Sequence, residues 1–296
     1  MRRRSLTLHT LFFFFVAAGC ARSGAPQRAA TPRRVVALAP NLTEIVFALG
    51  AGDRLVGVSD YSDYPPAARA IPRVGGLEVS AERVASLSPD LVLATPEGNA
   101  KGPVTALAAA GVPVLAVPGG SLDDVLRAID LIARRLGKTA EGERLVRALA
   151  ARREAVRRAR PAGPAPTAAM LIWPDPPQGA GAGTFLNDVL TEAGARNALA
   201  DRPGWPLVSE EWLATTPLDV LVLPDSEQTR SAYERALASG PLSRGTAARA
   251  RVIRIDESEL TRPGPRVFDA LERLASALRE PQPARGSPAN TLRERG

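Results

Sequence analysis

The chain has 296 residues, 45% hydrophobic but only 4% aromatic, and a net charge of +7 from 38 basic and 31 acidic side chains. Its one histidine, His9, and its one cysteine, Cys20, both fall within the first twenty residues. Beyond Cys20 the chain therefore cannot build a Ser-His-Asp or Cys-His catalytic set, a zinc site on imidazole or thiolate, or a disulfide, and its stability must come from packed cores.

The first segment, "MRRRSLTLHTLFFFFVAAGC", has a basic start at Arg2–Arg4, an apolar centre at Leu11–Val16 and a small-residue end at Ala17-Ala18-Gly19. This is an export signal over residues 1–20, too short to span a bilayer as a mature helix. Its small-small-Cys ending resembles the bacterial lipobox, which implies that Cys20 is lipidated and becomes the mature N-terminus. Lipidation would also account for a single unpaired cysteine in an exported chain. Residues 21–32 read as a flexible tether. The remaining arginine clusters, in "ARREAVRRAR" and the terminal "RERG", read as solvated faces, and no nucleic-acid partner is expected.

From residue 33 nearly continuous apolar runs alternate with amphipathic segments. "RRVVALA", "RLVGVS", "DLVLAT" and "PVLAVP" read as strands buried on both faces. "NLTEIVFALG", "ERVASL", "PVTALAAAG" and "SLDDVLRAIDLIARRLG" read as helices, the first expected to be capped by Asn41 or Thr43 and ended by Gly50. This is a parallel α/β lobe over 33–137. No strand signal occurs over 138–160, where Leu145, Val146, Leu149 and Val156 recur at helical spacing, which predicts one long helix ended by "PAGPAP". Alternation resumes over 166–280, with strands "TAAMLIW", "DVLVLP" and "RVIRI" and helices "TFLNDVLTEAG", "SEEWLATT", "SAYERALAS" and "RVFDALERLASAL". Residues 281–296 read as a disordered tail. The expected fold is α/β, two small Rossmann-like lobes joined by one long helix with a ligand cleft between them.

An internal echo supports two similar lobes. Glu82 follows Ser80 by two residues and Glu211 follows Ser209 by two; Asp90 and Asp219 follow the same serines by ten.

Five segments, "RVVALAPNLTEIVFALG", "LVGVSDYSDYPP", "SAERVASLSPDLVLATPEGNA", "GWPLVSEEWLATTPLDVLVL" and "SELTRPGPRVFDAL", carry a resemblance that covers about residues 33–280. Together they resemble the helical-backbone (class III) substrate-binding proteins of ABC importers for cobalamin, haem and ferric siderophores, and in particular the cobalamin-binding members. The resemblance implies that Tyr61 and Trp205 line the ligand site; aromatic rings offer a flat corrinoid apolar area at low entropic cost. Tyr64, before Pro65-Pro66, and Trp173, at a strand end, are further candidates, whereas Trp212 is read as core. The segment Ser258, Glu259, Leu260, Thr261 and Arg262 matches the second-lobe loop that contacts the vitamin, in position and not in chemistry. One departure stands out: Gly76 occupies the place of a tryptophan in the resembling proteins. Glu82 and Glu211 match the glutamates by which each lobe docks on arginines of the permease, although a glutamate in a first helical turn is also favoured by the helix dipole.

The function these readings predict is that of a lipid-anchored, periplasmic binding protein. It is expected to capture cobalamin or a related corrinoid and deliver it to an ABC permease with its ATPase subunits. It would act as a monomer, without catalysis, resident metal or cofactor. Two alternatives stay in the same family. A ferric siderophore would be held by Arg262 and Arg266, and haem would use Tyr61, Tyr64 or Met170 as axial ligand. A carboxylate-based hydrolase using Asp60, Asp63 or Asp175 is the remote alternative.

Overall fold

The computed structural model describes residues 31–280 apart from Leu77 and Glu97. The expected export signal, Cys20, nearly all of the tether and the tail lie outside the described residues. The net charge also lies outside the fold: residues 33–280 hold thirty basic and thirty acidic side chains.

The first lobe runs β1 (Val35–Ala37), α1 (Pro40–Ala48), β2 (Leu55–Val58), α2 (Ala81–Ser86), β3 (Leu91–Ala94), α3 (Lys101–Ala109), β4 (Val114–Ala116) and α4 (Leu122–Arg135). Its sheet has the order β2-β1-β3-β4 with every pair parallel. Strands β1 and β3 lie at its centre and are buried along their whole length, which is why they read as unbroken apolar runs. Helix α4 shows the local logic plainly. The Ser121 hydroxyl accepts from the Asp124 N–H, Asp123 and Asp124 occupy the first turn and Arg134 and Arg135 the last, each matching the helix dipole.

The long helix α5 (Thr139–Arg158) follows. The second lobe comprises β5 (Thr167–Pro174), β6 (Pro177–Gly179), α6 (Phe185–Glu192), β7 (Arg196–Asn197), α7 (Glu210–Thr215), β8 (Val220–Asp225), α8 (Glu227–Ala238), β9 (Arg251–Asp256), α9 (Glu257–Leu260) and α10 (Val267–Arg279). Its sheet has the order β6-β5-β8-β9, with β7 also on β5; only the β5–β6 pair is antiparallel.

The sequence-based expectations need correction in four places. Neither Asn41 nor Thr43 caps α1: Pro40 opens the helix, and both side chains bond elsewhere. Helix α8 begins four residues before Ser231, because the Ser226 hydroxyl caps it at the Thr229 N–H. Strands β6 and β7 are three and two residues long, too short to show an alternating pattern.

The largest apolar cluster passes from the first lobe to the second without a break. It joins Val35 and Ala37 of β1, Ile129 of α4, Leu149 and Val156 of α5, Val189 of α6, Met170 of β5 and Phe268 of α10. Smaller clusters fill the outer face of each sheet. Ion pairs reinforce α5 on both sides: Arg152 binds Asp269 and Glu272 of α10, and Arg153 binds Glu192 of α6 and Asp123 of α4. Burial pulls the Glu192 pKa up, but hydrogen bonds from Arg153 and Arg157 outweigh it and hold the carboxyl below its usual range.

Candidate ligand cleft

In parallel α/β sheets the loops after the strand carboxyl ends converge on one edge, and ligands collect there. Both sheets present that edge to one cavity of about 570 Å³. The first lobe supplies Leu38 to Asn41 after β1, Ser59 and Tyr61 after β2, Thr95 and Gly98 after β3, and Gly119 and Gly120 after β4. The second supplies Ile172 from β5, Gly183, Thr184 and Phe185 at the start of α6, Trp205, and Thr261 to Pro263 after α9. Apolar groups and glycines dominate. Among the described lining residues only Arg262 carries a formal charge, and no carboxylate is present.

Two aromatic rings stand in this wall with free area. Tyr61 is 55% exposed and Trp205 40%. The Trp205 ring meets Phe185 edge to face at 6.1 Å between centroids, and its carbonyl accepts from the Gln178 amide at 2.9 Å, which fixes the loop. The Tyr61 ring lies against Gly76, where an added Cβ would come within 3.0 Å of Cε2. The Gly76 departure thus has a local consequence: Tyr61 packs on bare backbone, and a Cβ there would require its ring to give way by a few tenths of an ångström.

The other aromatic candidates fall outside the described lining. Trp173 is exposed at the β5–β6 turn, with its indole N–H donating to the Asp175 carbonyl at 3.0 Å. Tyr64 lies under the Arg266 guanidinium, 4.0 Å from the ring centroid. Met170 is wholly buried inside β5 and cannot serve as an axial ligand, which corrects that part of the haem alternative.

The segment 258–262 divides in the same way. Thr261 and Arg262 line the cavity, while Leu260 is core. Ser258 donates to Asp256, and Glu259 pairs with Arg273 while its backbone N–H donates to Asp256, the residue that caps α9.

A network that the sequence reading missed crosses between the lobes here. Glu44 of α1, its side chain 2% exposed, accepts from Arg266 at both oxygens, at 2.7 and 3.0 Å. Arg262 Nη1 lies 2.6 Å from Asp63 Oδ1 and 3.4 Å from Glu44 Oε1. Arg266 also donates to the Ser258 hydroxyl, and the Asn41 amide donates to the Pro263 carbonyl. Partial burial raises the Asp63 pKa, but the hydrogen bond and charge of Arg262 outweigh that and lower it overall. Arg262 and Arg266 are thus engaged with carboxylates and not free for an anionic siderophore. The signal for Glu44 was present: it is the one charged residue of α1, in a helix that buries Leu42, Ile45 and Val46.

The three carboxylates considered for hydrolysis do not converge. Asp60 accepts from the Gly75 N–H, Asp63 pairs with Arg262, and Asp175 sits at the β5–β6 turn. No group of three or more His, Cys, Asp or Glu able to hold a metal ion occurs among the described residues. No helix among them is long and apolar enough to cross a membrane.

Glu82 and Glu211 are exposed in the first turns of α2 and α7. Ser80 and Ser209 cap these helices through equivalent bonds to the N–H three residues on. The echo in the sequence is therefore an echo in local structure.

A periplasmic binding protein family model matches residues 35–259. An uncharacterized ABC transporter substrate-binding lipoprotein of Bacillus subtilis is 30% identical over 254 residues, covering 83% of this chain and 80% of its own length. The vitamin B12-binding protein of Pectobacterium carotovorum is 29% identical over 268 residues, covering 87% and 92%. Among solved structures, the apo periplasmic heme-binding protein of Roseiflexus sp. RS-1 superposes with a TM-score of 0.76 at 32% identity, covering 83% and 97%.

Proposed function

Since this chain belongs to the periplasmic binding protein family, we propose that it captures cobalamin or a related corrinoid for an ABC importer. The observation that carries this reading is the character of the cleft. It is apolar, rich in glycine, offers two exposed rings from opposite walls, and pairs the one cation of its described lining with carboxylates. A large, flat ligand of little net charge fits such a surface; a polyanion would find no free cation in the described wall. The similarity to a vitamin B12-binding protein over most of both chains agrees with it.

In this reading the mechanism has no chemical step. Lipidated Cys20 tethers the exported chain, the cleft takes the ligand, and Glu82 and Glu211 dock the two lobes on the permease, which its ATPase subunits drive. Haem is the second reading, favoured by the exposed Tyr61 phenol in the wall and the similarity to a heme-binding protein. Calorimetric titration of the chain from residue 21 with cyanocobalamin tests the first reading, with saturable one-to-one binding expected. Absence of binding, together with a Soret shift on mixing with haemin, would replace it by the second.

A further inference from the structure

We propose that Asp63 and Glu44 set the charge selectivity of the cleft by neutralising Arg262, so that the site admits a ligand of little charge and discriminates against polyanions. The inference deepens the corrinoid reading and rests on the same cavity.

Arg262 is the one cation in the described wall, with its side chain 16% exposed. An unpaired guanidinium at the edge of a cleft is a strong site for carboxylate or phosphate, because its donors form a fixed fork. Here Nη1 is taken by Asp63 at 2.6 Å, with Glu44 behind it at 3.4 Å. Glu44 is buried and already holds Arg266 by two bonds, while Arg266 also donates to Ser258 and covers Tyr64. These four groups cancel one another in one compact cluster, and Asp256, linked to Arg266 through the Ser258 hydroxyl, adds a further negative charge on the second-lobe side. The cluster spans both lobes: Glu44 and Asp63 come from loops and helix of the first, Arg262 and Arg266 from the second. The first lobe thus supplies the charge that cancels a second-lobe cation.

The two counter-ions differ in a useful way. Glu44 is sealed in the interior, so its loss threatens the fold. Asp63 is half exposed, with 52% of its side chain in contact with solvent, and its replacement by asparagine keeps shape while removing the charge. Asp63→Asn then removes the closest negative charge from Arg262, and a bound anion feels the difference of one unit charge. For unit charges roughly 6 Å apart and an effective dielectric constant of about 40, between protein surface and water, the gain is about tenfold in affinity.

The test uses ligands of one frame and two charges. Cyanocobalamin is compared with its derivative in which three side-chain amides are hydrolysed to carboxylates, and haemin with its dimethyl ester. Each is titrated into the wild-type chain from residue 21, into Asp63→Asn and into Asp63→Glu. The expected result is that Asp63→Asn shifts the ratio of affinities about tenfold toward the anionic form, that the shift shrinks at high ionic strength, and that Asp63→Glu returns the ratio to the wild-type value. A ratio unchanged within about twofold of wild type, or no gained binding of either anionic form by Asp63→Asn, overturns the proposal. If the shift appears with the haemin pair while cyanocobalamin does not bind, the corrinoid reading fails and the charge device stands.

Discussion

Replacing Trp205 by alanine removes the largest ring from the second-lobe wall, and its effect can be sized from exposure. The residue is 40% exposed, so a bound ligand can cover at most ~100 Å² of a ring that offers about 250 Å². At about 25 cal/mol per Å² this is ~2.5 kcal/mol if all of it is buried, and about half of that if a flat ligand covers one face only. The variant should therefore bind its ligand between roughly 8 and 70 times more weakly, at 1.4 kcal/mol per decade. The edge-to-face contact with Phe185 is lost as well, which costs the fold only about 1 kcal/mol and leaves it intact. Calorimetry gives the affinity and a thermal melt of the empty protein checks the fold. A Kd within about threefold of wild type in a folded variant would refute the placement of the ligand against this ring, since even one-face burial exceeds that.

Other expectations follow from the ion pairs and the helix caps. Arg266→Met leaves Glu44 buried opposite Arg262 alone and should lower unfolding stability by about 3–5 kcal/mol, measured by urea denaturation. Glu192, held below its usual pKa by Arg153 and Arg157, contributes stability above the ordinary glutamate range that is lost as pH falls through its folded value. Glu192→Gln should thus weaken the protein at neutral pH and flatten the acid limb of its stability profile. Asp188, raised by burial, works in the opposite sense and gains stability on acidification, so it remains in that limb after Glu192 is gone. The double variant Glu82→Ala with Glu211→Ala should keep ligand affinity and lose stimulation of the permease ATPase; full stimulation would exclude these residues from docking.

The sheet strands were legible because most of them are buried on both faces, which leaves an unbroken apolar run such as Leu91–Ala94 or Val220–Leu223. The helix starts at Ser121 and Ser209 were legible because capping is local. What failed was decided by residues far apart in sequence. Asn41 looked like a cap, yet its amide reaches Pro263, 222 positions away. Arg262 and Arg266 looked like anion ligands because nothing near them announces Glu44 and Asp63. Tyr61 and Tyr64 both follow an aspartate in one short loop, but one faces the cavity and the other stacks under a guanidinium. Trp205 lies in a loop and Trp173 near the end of β5, and only the packing of Phe185 and the Gln178 bond turn the first toward the cleft.

The apolar cluster that runs unbroken from β1 through α5 to α10 has a consequence for how this molecule comes apart. Neither half owns a complete interior: a fragment ending near residue 160 would leave the inner faces of α4 and α5 wet, and the complementary fragment would lose the floor under Met170 and Phe268. The halves should therefore not melt in turn, and a single cooperative heat transition is expected in calorimetry. A ligand held by both walls then stabilises the whole chain by RT ln(1 + [L]/Kd), so the occupancy of a small cleft is written into the melting temperature of the entire protein.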